Sequence, residues 1–278
     1  MIKKIFYAIL IFLVIIFIIL KTPLWFPLRS YFAMYIFSNM EENESLIEKE
    51  KIKFKIPGGI STIKRDWYPF VITFNDDEGF SRYMDKNLSL TILYNFGHFQ
   101  IKDGSSSYYN PNSKYFSSFY GGYLVRNDEN KRLPFGFDTN NNINIKELTS
   151  VPKYDLDKLV LRSLGCPESK IIIDYSIDDI KDNIDYVGYK NWVKIDTEFR
   201  VNSPLHRYKE EKRAYIQYGR PIEKHLSDGD FPIITLKGRM YVKYFEEYNL
   251  TVFLYIICDD INTIEECDKE ILSKSIIR

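Results

Sequence analysis

Residues 5–20 carry no charged side chain and consist mostly of isoleucine, leucine, phenylalanine and valine, set between Lys3-Lys4 and Lys21. A core helix of a soluble domain shows a polar stripe, and this run has none. At 1.5 Å rise per residue it makes a helix of about 24 Å. Lys21 can snorkel, and Leu24, Trp25 and Phe26 extend the apolar length toward the roughly 30 Å of a bilayer's hydrocarbon core. The residues that follow, Leu20-Lys21-Thr22-Pro23-Leu24, offer bulky side chains and a proline where a signal-peptide cleavage site needs small ones. The first cysteine, Cys166, lies too far along for lipid attachment. Residues 1–22 are therefore expected to be an uncleaved transmembrane signal-anchor helix. A short basic start ahead of a long folded body favours a single-pass cell-membrane protein whose C-terminal domain stands outside the cytoplasm.

Residues 23–51 read as a juxtamembrane segment followed by a charged spacer, since 41–51 has only Leu46 and Ile47 as apolar content. From residue 52 the pattern changes to period two. Ile52, Phe54 and Ile56 alternate with lysines, and Leu88, Leu90, Ile92 and Tyr94 alternate with Ser89, Thr91 and Asn95 about Leu93. Val193, Ile195, Thr197, Phe199 and Val201 share one strand face while Lys194, Asp196, Glu198 and Arg200 share the other, the alternation of an antiparallel sheet. Residues 67–74, 115–125 and 171–175 read as further strands, and 250–257 as a buried closing one. Residues 233–236 and 240–245 read as a hairpin turning at Lys237-Gly238. A helix is expected over 152–164, with Ser150 as its cap and Pro152 in its first turn. A terminal helix is expected from the Thr263/Glu266 capping box and the stripe Ile264, Cys267, Ile271 and Leu272. The predicted fold of residues 52–278 is thus α+β, a largely antiparallel sheet with a C-terminal helix packed on it.

Charge excludes one class of partner. The 38 basic and 38 acidic residues cancel, so nothing in the bulk electrostatics asks for a nucleic acid. The three histidines, His98, His206 and His225, show no zinc-ligand spacing. Asp138, Asn140 and Asn142 match the first positions of a calcium loop, but Ile143 and Thr149 replace its glycine and its bidentate glutamate. No phosphate-binding glycine loop and no G-x-S-x-G elbow occurs, so neither a metal nor a cofactor is called for. Cys258 and Cys267, at the end of one element and the start of the next, are expected to form a disulfide in an oxidising compartment.

The segment 104–123 stands apart. Tyr108, Tyr109, Tyr115, Tyr120 and Tyr123, mixed with serine and glycine, have the composition of a binding loop. A tethered binding or interaction protein, contacting a protein partner or an envelope assembly, is the leading expectation. The alternatives are a membrane-anchored hydrolase of envelope material using His225 and Asp228, and a structural subunit of a membrane complex.

Overall fold

Every residue from Leu250 to Cys258 is buried, and the rest of the architecture is arranged round that strand. The computed structural model describes residues 2–21, 36–37, 39–57, 70–95, 99–100, 105–106, 119–129, 133–138, 142–162, 166–202 and 231–278. Within them the strands are β1 Phe54–Lys55, β2 Phe70–Phe74, β3 Leu88–Asn95, β4 Phe99–Gln100, β5 Ser105–Ser106, β6 Phe119–Asn127, β7 Ile173–Tyr186, β8 Tyr189–Asn202, β9 Ile233–Phe245, β10 Leu250–Cys258 and β11 Ile276–Ile277. The helices are α1 Ile2–Lys21, α2 Leu46–Lys49, α3 Glu78–Met84, α4 Ile145–Tyr154 and α5 Ile261–Glu270.

One sheet runs β2-β3-β6-β10-β9-β8-β7, with every neighbouring pair antiparallel. The expected α+β fold is therefore the observed one. Period two sends Phe253, Tyr255 and Ile257 of β10 to one face and Val252, Leu254 and Ile256 to the other. Leu148, Val151 and Tyr154 of α4 cover the first face, together with Phe80 of α3. Ile264 and Cys267 of α5 cover the second, beside Leu46, Ile47 and the β1–β11 pair. The sheet is thus the middle of three layers.

Several boundaries differ from expectation for identifiable reasons. α4 starts at Ile145, where Asn144 accepts from the Glu147 amide at 3.2 Å, so Pro152 lies inside the helix. Proline has no N–H for the Leu148 carbonyl, and just beyond it the helix widens to π geometry over Asp155–Leu161. α5 is capped by Asp260, not Thr263; its carboxylate accepts from the Asn262 amide at 2.7 Å and the Thr263 amide at 3.3 Å. The predicted stripe Ile264, Cys267, Ile271 and Leu272 is buried.

Lys237-Gly238 is not a turn. β9 passes straight through it, because a Cβ at residue 238 would lie 2.5 Å from the Phe199 ring and 2.8 Å from the Thr197 hydroxyl. The chain reverses instead at Glu246–Tyr248, with Asn249 left-handed at φ 51°. Residues 41–51, expected as a solvated spacer, are part of the body. Glu41 accepts from the Thr73 amide at 2.9 Å, the Leu46 amide donates to Thr91 Oγ1 at 2.9 Å, and Leu46 is wholly buried.

The expected disulfide is absent. Cys166, Cys258 and Cys267 are buried thiols, and the Cys258 sulfur is turned toward the Asp260 carbonyl, 2.7 Å away, in the loop that caps α5.

α1 is 20 residues long, which at 1.5 Å each gives about 30 Å, the thickness of a hydrocarbon core. It is apolar enough to cross a membrane, and none of it is buried.

Candidate functional site

The first face of the sheet holds a buried carboxylate. Leu148, Val151 and Asp155 recur at helical spacing on the side of α4 that meets the sheet, and at the third place the apolar stripe carries an acid. Asp155 is 1% exposed. Its Oδ2 accepts from the Tyr123 hydroxyl at 2.7 Å, and its Oδ1 accepts from the Tyr94 hydroxyl. Burial pushes the Asp155 carboxyl up to about 6, although both tyrosine hydrogen bonds act in the opposite direction by favouring the anion. Burial also lifts Tyr123 well above its ordinary value, and the neighbouring Asp155 adds to that. Tyr123 stacks on Tyr255 with ring centres 4.6 Å apart. Each carboxylate oxygen is thereby occupied, so Asp155 fixes the two tyrosines in place and does not itself face outward.

Beside this group α4 and the sheet stand apart. They flank an open-mouthed pocket between Pro152 and Leu156 on the helix side and Phe199, Met240 and Ile257 on the sheet side. Tyr123 and Tyr255 form its inner wall. Gly238 lies in its floor, where Phe199 and Thr197 leave no room for a Cβ. At the mouth, Thr149 Oγ1 and the Tyr175 hydroxyl lie 2.7 Å apart, and Lys153 is exposed. An interior almost entirely apolar with a few polar groups at its rim is the usual form of a small-molecule site.

The opposite face carries a charged cluster. Arg239, 3% exposed, donates to Asp196 at 2.7 and 3.2 Å, to Glu265 at 2.7 Å and to Asp268 at 3.0 Å. Burial disfavours the guanidinium, but the hydrogen bonds to Glu265, Asp196 and Asp268 outweigh it and hold Arg239 above its usual pKa. Tyr186 donates to Asp268 at 2.6 Å, and Tyr241 donates to the other Asp268 oxygen. The Tyr186 and Tyr241 rings stack at 3.8 Å. These bonds tie α5 to β7 and β9 and, through Arg239, to β8, so this cluster is a fastening and not an open site.

Of the five tyrosines singled out by the sequence, two lie within the described residues. Tyr120 and Tyr123 are buried on opposite faces of β6, Tyr120 donating to the Pro57 carbonyl at 3.1 Å. Tyr108, Tyr109 and Tyr115 lie outside the described residues, as do His225, Asp228, His98 and His206. The Asp138–Asn142 loop closes on itself, with Asp138 accepting from the Asn142 amide at 2.8 Å and from its side chain at 3.0 Å. Among the described residues no group of three or more histidine, cysteine, aspartate or glutamate side chains is placed to hold a metal ion.

Sequence reasoning missed Asp155 and Arg239. The first was concealed by starting the helix at Pro152, which removed Leu148 and Val151 from the stripe. The second was concealed by reading Gly238 as a turn, which cut Arg239 off from its strand. Compared with known proteins, the chain matches no family, no curated protein and no solved structure.

Proposed function

We propose that the protein is a membrane-anchored binding protein. Residues 2–21 hold it in the bilayer by a single pass, its α+β body stands outside the cytoplasm, and it contacts a protein partner or an envelope assembly. The observation that carries this reading is α1, whose apolar side chains, among them Ile5, Phe6, Phe12 and Phe17, are about half exposed or more. Leaving so many large apolar groups in water costs on the order of 1.5–3 kcal/mol each, and lipid removes that cost. A binding role is supported by the pocket under α4, which is concave, apolar and bordered by hydroxyls. Tethering adds effective concentration, so a partner in the same membrane needs only modest affinity.

The test is fractionation of cells expressing the full chain. The protein is expected to stay with membranes through alkaline carbonate washing, and its body to be digested by protease added outside intact cells. Recovery in the soluble fraction, or full protection from external protease, overturns the anchor or the orientation respectively.

A further inference from the structure

The pocket between α4 and the sheet has a direction. Its inner wall, Tyr123 and Tyr255, is 2–3% exposed, and its sides are aliphatic or aromatic. At one end Thr149 and Tyr175 meet across the gap between helix and β7, the Thr149 hydroxyl also donating to the Ile145 carbonyl at 2.9 Å. Lys153 is at the same end, exposed, and makes no ion pair with any described residue.

Gly238 lets the Phe199 ring and the Thr197 hydroxyl pack directly over β9 in the pocket floor. The helical wall is where α4 gives way to π geometry at Asp155–Leu161, and Leu156 lines the pocket there; such widened turns recur at functional sites.

The geometry points to a single aliphatic chain ending in a carboxylate as the ligand of this pocket, the chain lying along Leu156, Phe199, Met240 and Ile257 and the carboxylate at the Lys153 ammonium. An uncharged alcohol of equal length would fill the same apolar space and leave the ammonium unpaired. A short acid would reach the ammonium and leave the space empty. The assignment goes beyond the anchoring proposed above and stands whether or not α1 crosses a bilayer.

The test uses the full chain in lipid nanodiscs, titrated with carboxyl-¹³C dodecanoate and, in parallel, with 1-dodecanol and butyrate, empty discs serving as the blank. Dodecanoate is expected to bind saturably at one molecule per chain and more tightly than either comparison compound. Leu156→Trp, which fills the pocket from the helix, weakens both twelve-carbon compounds about tenfold. Ile173→Trp, filling it from β7, serves the same purpose should the first variant melt early. Lys153→Gln weakens dodecanoate about threefold and leaves dodecanol unchanged. Binding no greater than to empty discs, or unchanged in a folded tryptophan variant, overturns the site. Equal affinity for dodecanol, unaffected by Lys153→Gln, overturns the carboxylate.

Discussion

At the scale of single residues, Asp155 is the group whose chemistry departs most from its surroundings. Its folded pKa, about 6, lies above the ordinary 3.8 because burial disfavours the anion. For an acid raised in this way the native state binds more protons than the unfolded one. Its contribution to stability is fully present below about pH 3.8 and is lost as pH rises through about 6. The difference, on the order of 3 kcal/mol across that window, is the cost of ionising a carboxyl that cannot reach water. Asp155→Asn is expected to remove this slope, so melting temperature measured from pH 4 to pH 7 flattens relative to the parent; an unaltered slope places the titration elsewhere. Tyrosine content was visible in the sequence, but its use was not. Composition alone cannot distinguish a Tyr123 that donates to a buried acid from one on a surface, since the acid comes from a helix that the pairing of β3 with β6 brings opposite.

Elements were legible wherever one periodicity ran without interruption. β3, β8, β10 and the buried stripe of α5 follow their apolar patterns closely. The misreadings fall at glycine and proline, because each has two structural uses. Gly238 marks a close approach of β8 to β9 and not a reversal, and Pro152 is carried inside α4 and not at its start. The expected Cys258–Cys267 disulfide is likewise not present, the Cys258 sulfur being turned toward the loop carbonyl of Asp260. What ties α5 to the sheet is the Arg239 cluster. Truncation to alanine leaves Asp196 and Asp268 without their shared cation, and removing one partner from a buried ion pair costs about 3–5 kcal/mol. Arg239→Ala is therefore expected to lower the urea midpoint strongly. A loss below about 1 kcal/mol, the size of an exposed pair, would show that the cluster is solvated.

For the whole molecule, the class and the terminal helix were readable, because antiparallel alternation and an apolar helical stripe survive local error, whereas the third layer, α4 on the other face, was not. The extent of the body was not: Glu41, Leu46 and Ile47 looked like a spacer, as burial of two apolar side chains in a charged stretch has no periodic signature. Covered on both faces and paired on both edges, β10 has no route to water short of general unfolding. Its amides are expected to exchange with deuterium more slowly than those of β7, which lies at the sheet's margin with most side chains exposed. Comparable rates in the two strands would mean that the layers separate independently.

The register that sets Thr251 opposite Val125 also orders events during synthesis. When the ribosome has just finished β6, the neighbour that will seal its edge does not yet exist, and residues 128–249 must still be made before it does. Long-range pairing of this kind closes late and slowly. Nascent chains therefore spend an extended interval with the β6 backbone open, a period in which a holdase, or passage through a translocation channel in the unfolded state, would keep one copy from zipping onto another.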